Sequence, residues 1–465
     1  MNSNKSNVTS LRTFSLYALF DMLKIYEEEL ELPVIEGHRG LLAYLRRMVR
    51  KHLDRHLLPI RLAITETTTT HYICELGVLS GLLDAQLEHG CSIFDYAPRA
   101  GENASAFNAV LLVPTGIGST IGGHAGDANP VARLLASVCD SLITHPNVVN
   151  ASDINDLPEN GMYVEGSVIT RLLMGISGLR PVRANRVLVV IDEHADPVFT
   201  DLAINSVSAA RASYGLNCPA VVRLEPPVYV KSVYASSGRA VGLVERLEGL
   251  IDVLEEFKGR FDALALSTQI DVPKNYHVDY YTARGDMINP WGGPEAIFTH
   301  ALSSLYDIPT AHAPMCESEE IANLNLGAID PRMAAEDISN GYFMCVLKGL
   351  QRSPHLVKDL NRGNQPGILT AADISCLVIP DGCVGLPTLA ALEQGIPVIA
   401  VRENRNIMRN ELSDLPWSSG QLHIVDNYWE AAGVMSALRQ GIAPASVRRP
   451  LADTMVLQRT NPDDY

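Results

Sequence analysis

The chain has 465 residues, 47% hydrophobic and 19% charged, enough apolar content for a large core and too little charge for a disordered protein. A formal net charge of −16 argues against a nucleic-acid partner, because neutralising phosphates needs a basic surface. No apolar run reaches the roughly 20 residues of a membrane span, and Met1-Asn2-Ser3-Asn4-Lys5 does not read as a signal peptide. A cytoplasmic protein without a membrane partner is therefore expected, with its eight cysteines reduced.

In chain order, residues 11–57 read as two helices, 11–29 and 40–57, split by Pro33 and Gly37. Arg46, Arg47, Arg50, Lys51 and Arg55 give the second a basic, solvated face. A strand over 61–66, a polar turn at the threonines 67–70 and a helix over 74–87 complete an N-terminal α/β cap, 1–100. Beyond Val110 strands and helices alternate. A strand over 187–191 ends in Asp192-Glu193-His194, and a helix over 200–214 follows. Next come a strand at 220–224, an amphipathic helix at 243–257 and a late helix at 429–440. This predicts an α/β fold of mostly parallel sheets with flanking helices, arranged as two Rossmann-like halves plus the cap. The halves are 101–237 and 238–465, divided near Ala235-Ser236-Ser237-Gly238.

Three stretches share one plan: an apolar strand, a Gly/Pro loop carrying acid, His or Cys, then a helix. They are Val110–Pro114 with the loop to Pro130, Ala263–Leu266 with the loop at Asn289–Glu295, and Cys376–Pro380 with Asp381–Thr388. Ligands of open α/β sheets sit outside the carboxyl ends of such strands, so these loops are expected to build the site.

In the first loop, Gly116, Gly118, Gly122 and Gly123 allow close approach of a ligand to backbone amides, and His124 and Asp127 add titratable groups. The spacing is not that of a dinucleotide fingerprint, and no Gly-Lys-Ser/Thr marks a P-loop. His145, Asn147 and Asn150 form a dense polar run after the next helix. Glu165 reads more readily as a helix cap. The second unit offers Asp271, His277, Asp279, Asn289, Trp291, Gly293 and Glu295, with His300 and His312 beyond. In the third, Asp381 and Cys383 stand in a tight turn ahead of Thr388 and a helix, where a thiol can be activated. Arg402, Asn404 and Arg405 follow the next strand, and an arginine there could clamp an anion. No spacing is diagnostic of a metal, and none is assigned; cofactors stay unassigned. A homo-oligomer is compatible with the chain.

Val113–Asp156, Asn289–Glu295 and Ile379–Asn406 resemble the family labelled domain of unknown function 3326, over about residues 105–455. That resemblance implies no activity. Gly382-Cys383-Val384-Gly385-Leu386-Pro387-Thr388-Leu389 is similar to the second cysteine turn of the aspartate/glutamate racemase and maleate isomerase group, which implies thiol chemistry on a small carboxylate. The matching first cysteine is missing, since Cys139 and Cys316 lack its Asn-Thr context. Leu386–Asn404 is similar to the donor segment of two-domain glycosyltransferases and nucleotide-sugar epimerases.

The expected function is acid/base or thiol-assisted isomerisation or elimination of an anionic metabolite, a carboxylate or phosphate. Cys383, Asp381, His124 and Asp127 carry the chemistry in this reading. The alternatives are a transferase or epimerase with a nucleotide-activated donor, and a metabolite-binding protein without turnover.

Overall fold

Lys24–Pro33 alternates between buried and open positions at its end, with Leu30 and Leu32 inside, so it forms a strand (β1) where a helix over 11–29 was expected. Leucines two apart suit a pleat and not a helix face. The computed structural model describes residues 23–82, 92–273, 275–284, 287–339, 341–358, 360 and 367–458, so the part of that helix at 11–22 lies outside the described residues. His71–Ser80 (β3) pairs antiparallel with β1 and with Leu58–Thr67 (β2), which corrects the helix expected at 74–87 over 74–80. A strand buried on both faces reads as an unbroken apolar run, and periodicity cannot tell such a run from a buried helix. Residues 83–87 lie outside the described residues. Leu41–His52 forms α1 and buries Leu41, Leu42, Leu45 and Val49 against this hairpin.

The remaining strands follow in chain order: β4 (Asn108–Leu111), β5 (Ser141–Thr144), β6 (Asn150–Ala151), β7 (Ile154–Asn155), β8 (Gly161–Tyr163), β9 (Gly178–Arg180), β10 (Val187–Asp192) and β11 (Val221–Leu224). They continue with β12 (Tyr229–Tyr234), β13 (Ala240–Glu245), β14 (Ala263–Asp271), β15 (Thr310–Met315), β16 (His355–Val357), β17 (Ile374–Pro380), β18 (Val384–Gly385), β19 (Val398–Val401) and β20 (Leu422–Val425). β6–β7 and β9–β16 are small ribbons. The helices that matter below are α2 (Asn129–Ala136), α3 (Pro146–Val149), α4 (Gly166–Leu173), α5 (Pro197–Tyr214), α6 (Glu248–Phe257), α7 (Gly292–Tyr306), α8 (Phe343–Gln351), α9 (Leu386–Gln394) and α10 (Tyr428–Arg439).

One sheet is all parallel, with order β8-β5-β4-β17-β19-β20. By chain order this is third, second, first, fourth, fifth, sixth, the order of a doubly wound sheet whose crevice opens between the first and fourth strands. α2 and α10 cover one face over Ala109, Leu111 and Val113, and α4 and α9 cover the other over Val110 and Leu112.

The second sheet is mixed. Its parallel part joins β11, β10, β14 and β15, with α5 and α8 on one face and α6 and α7 on the other. Its antiparallel part runs from β12 through β13, β1, β3 and β2 to β18. The helix expected at 243–257 is thus shared between a strand and α6, with Arg246 at φ +63° turning the chain between them.

Residues 235–238 are the turn of the β12–β13 hairpin, closed by the Gly238 N–H donating to the Ala235 carbonyl at 2.9 Å. The sheets do not divide at residue 237: each takes strands from both sides of it, and β18 ties the 381–388 turn to the N-terminal hairpin.

Candidate active site

The carboxyl ends of β4, β5, β8 and β17 of the parallel sheet face a cavity of about 350 Å³, whose other walls include β2, β15 and β18 of the mixed sheet and the start of α7. Thr115 after β4, His145 after β5, Glu165 after β8, His312 of β15 and Cys383 after β17 all line it, with Trp291 and Glu295 from the start of α7. All three repeated units meet there.

The glycines of the first loop are packing residues. Gly116 has φ +72°, and a Cβ on it would lie 2.6 Å from the Ala240 carbonyl oxygen; a Cβ on Gly293 would lie 2.0 Å from the same oxygen. The two glycines close the loop and the α7 start onto β13, and the Ala240 N–H donates to the Gly116 carbonyl at 3.0 Å. Gly118 packs against Ile288, Gly122 against Val113 and Gly123 against the Ser119 backbone, and none of the three is on the cavity wall.

His124 and Asp127 lie behind that wall. His124 Nδ1 sits 2.6 Å from the Tyr280 hydroxyl, and burial, then Arg332, pushes its imidazole down to about 4. Asp127 accepts the Gly122 N–H at 2.7 Å, and burial raises its carboxyl to about 7, with nearby Glu336 adding to the rise. Asp127 thus closes the loop on itself, and His124 ties the loop to Tyr280. Glu336 does reach the wall; it accepts from Asn289 Nδ2 at 3.2 Å, and burial raises it to about 7.

Asn404 is fully buried, gripping the backbone of Ile121 and the Tyr428 hydroxyl, so it is a clamp on the loop and not a ligand group. Asp381 accepts the Gly382 N–H at 3.0 Å and faces Arg402 at 4.0 Å, and neither lines the cavity. Arg402 is 60% exposed and also lies 3.7 Å from Asp426. Arg405 is held apart too, its carbonyl accepting the Thr120 N–H. Cys383 is on the wall, but burial pushes its thiol up, the reverse of the activation expected from the turn. Its carbonyl accepts the Thr388 hydroxyl at 2.8 Å.

The carboxylate–imidazole pairs are the strongest chemistry on the wall. Glu165 caps α4, accepting the Ser167 N–H at 2.9 Å, and pairs with His300 Nδ1. Burial would raise its carboxyl, but His300 and Ser167 outweigh it and hold it at about 2. Glu295 accepts from His312 Nδ1 at 3.0 Å, and His312 Nε2 meets the Thr268 hydroxyl at 2.7 Å. His277 pairs with Glu317 at 2.8 Å beside Trp291. Asp271 and Asp279 are exposed and off the cavity.

Asn147 Nδ2 donates to the Gly122 carbonyl at 2.7 Å, and Asn150 Nδ2 donates to the Tyr163 hydroxyl at 2.9 Å, so each of these two wall asparagines has an amide N–H engaged by the protein itself. Of the arginines on the wall, Arg171 is held by Asp307 and Ser303, and Arg61 by Glu27. Among the described residues no group of three His, Cys, Asp or Glu side chains is arranged to hold a metal.

Sequence reasoning missed Thr268, Arg171 and Glu336. A threonine inside a buried strand and an arginine inside an apolar helix face are signals only once their partners are known. Glu336 lies in a stretch without an amphipathic pattern.

No solved structure matches the chain. A protein of Synechococcus sp. named an uncharacterised lipoprotein is 32% identical over 350 residues, covering 74% of this chain and 93% of the relative. That finding overturns the cytoplasmic location expected from the sequence. The family model described as "Protein of unknown function (DUF3326)" matches residues 108–448, and the chain belongs to that family.

Proposed function

We propose that this protein is a small-molecule enzyme that moves protons by acid/base chemistry, as in an isomerisation or elimination, in the cavity between its two sheets. The observation that carries this reading is the placing of two carboxylate–imidazole pairs, Glu165–His300 and Glu295–His312, on the wall of one cavity. Glu295 is the base: its side chain is 26% exposed, and His312, backed by Thr268, holds one of its oxygens. The thiol route is set aside, because a buried Cys383 is protonated at neutral pH.

An anionic group on the substrate suits the start of α9. Gly385 provides no side-chain cap there, and Gly385, Leu386 and Thr388 line the cavity. The test is incubation with a small-metabolite extract in D2O, followed by mass spectrometry. Deuterium enters one or a few compounds with the wild type and not with Glu295→Gln. Equal labelling by both proteins would contradict the reading.

A second reading rests on the strand order of the parallel sheet. A Rossmann-like unit places its crevice between β4 and β17, where a nucleotide-activated donor would lie. A thermal shift with nucleotide sugars that simple acids do not produce would favour it. The name of the Synechococcus relative also supports an envelope setting for this chain, which cell fractionation tests.

A further inference from the structure

We infer that His145 is a neutral hydrogen-bond donor to a carbonyl oxygen, and that the compound turned over in this cavity is therefore a carbonyl compound with an acidic C–H bond next to that carbonyl. The inference rests on the acid–base reading above and names its substrate class.

One hydrogen bond fixes the state of the His145 ring. His145 follows β5 directly, lines the cavity and is 7% exposed. Its Nε2 lies 3.1 Å from the backbone nitrogen of Val113. A backbone N–H can only donate, so Nε2 must be the nitrogen with the lone pair. The ring proton is then on Nδ1. Protonating Nε2 would set two donors against each other, so the fold itself selects the neutral tautomer. His145 stands at the N-cap of α3 without capping it through its side chain, so its Nδ1–H is not spent on the helix, and Glu165 and His300 are its charged neighbours. Burial pushes the imidazole down to about 4 even though Glu165 pulls the other way, so the ring stays neutral across the physiological range. A neutral imidazole in a dry site can stabilise a developing oxyanion without giving up its proton outright.

The same loop links the segment that carries the donor to the helix that carries the base. Val113 holds His145, and two residues on, Thr115 packs against Gly292, where a Cβ would touch its side chain at 3.5 Å. Glu295 is three residues further along α7, in the first turn. One of its carboxylate oxygens is taken by His312, and the side chain remains open to the cavity.

The step balances within these groups. The Glu295 carboxylate takes the proton from the carbon beside the carbonyl, and the C–H electron pair becomes the C=C bond. The carbonyl π pair moves to oxygen, which accepts the His145 Nδ1–H bond. Return of the proton from Glu295 to the same or the neighbouring carbon completes an exchange or an isomerisation, with no oxidant or cofactor.

Two measurements test this. On the wild type, 15N NMR of the histidines is expected to show His145 neutral with its proton on Nδ1 from pH 5 to 9, and to show that resonance move with acetohydroxamate, an enolate mimic, and not with acetate. An imidazolium in that range, or a proton on Nε2, would overturn the inference. In D2O, a panel of 2-oxo acids, hydroxyketones and thioesters is compared with the matching alcohols. Deuterium is expected only beside carbonyls, with the rate falling about 100-fold or more in His145→Ala, the cost of one oxyanion donor. His145→Asn, whose amide can place a donor near Nδ1, is expected to recover part of that loss. Exchange abolished by Glu295→Gln and untouched by His145→Ala would sink the role of His145 and leave the acid–base reading standing. Exchange only from compounds without a carbonyl, or from none, would overturn the carbonyl assignment.

Discussion

Glu165–His300 and Glu295–His312 have the same chemistry and share α7, where Glu295 and His300 stand five residues apart, about 7.5 Å along the axis. Their surroundings differ. The Glu165 side chain is 3% exposed and has three further contacts, with the Ser167 N–H and hydroxyl and the Val168 N–H. The Glu295 side chain is 26% exposed, and His312, its partner, is the sealed member at 1%. A carboxylate held at about 2 by this many donors is a poor base and a good anchor. A carboxylate whose imidazole is locked behind it, and which itself meets the cavity, is placed to receive a proton. The lesson is that burial of one member or the other decides whether such a pair holds the fold or works on a substrate.

Breaking each pair in turn sharpens the contrast. Glu295→Gln is expected to cost about 1,000-fold or more in deuterium exchange, while circular dichroism and melting temperature stay close to wild type. Glu165→Gln is expected to do the opposite and cost about 3 kcal/mol of stability in a denaturant titration, because it removes a helix cap and a buried ion-pair partner together. The Glu165 carboxyl is lowered from 4.5 to about 2, so its stabilisation is complete above pH 4.5 and is lost as pH falls towards 2. Glu165→Gln should flatten that part of the stability curve; an unchanged curve would remove the anchor role.

Asp127 has the opposite sign. Burial raises its carboxyl from 3.8 to about 7, so stability present below pH 3.8 is lost as pH rises through 7. Asp127→Asn is expected to reduce the decline between pH 4 and 7 in thermal melts, with exchange activity kept. Cys383→Ser is expected to leave activity within about threefold and to cost about 1–2 kcal/mol for a buried hydroxyl. A large activity loss there would restore the thiol route. Arg402→Ala should change stability by less than about 0.5 kcal/mol and leave activity alone, since the residue is exposed and off the cavity.

The alternation of strands and helices beyond Val110, and the three similar loops after strands, were legible in the sequence because a parallel strand and its crossover helix leave a repeating apolar–loop–helix pattern, whereas the meeting of those loops depends on the topology. The N-terminal hairpin was not. β1 carries Glu27 inside the sheet, where Arg61 and Arg239 neutralise it, and no local pattern announces a buried acid with partners more than thirty residues away. Among the residues singled out for the site, His145, Glu295, Trp291 and Thr388 fell on the cavity wall. Asp381, Arg402 and Asn404 did not, because a residue after a strand can turn to either side of the sheet's end: Asp381 and Arg402 face each other, and Asn404 turns to the backbone of Ile121. The pairing of β18 with the outer edge of β2 explains the fate of Cys383: it draws the turn inward and buries a thiol that a free helix start would have exposed.

The most direct test is a crystal structure of Glu295→Gln with the compound whose C–H bond the wild type exchanges. The account predicts that compound in the cavity between the two sheets, its carbonyl oxygen on His145 Nδ1 and its exchangeable carbon facing residue 295. A compound bound instead at the Asp381–Arg402 turn, or one whose reacting carbon lies against Cys383, would contradict it.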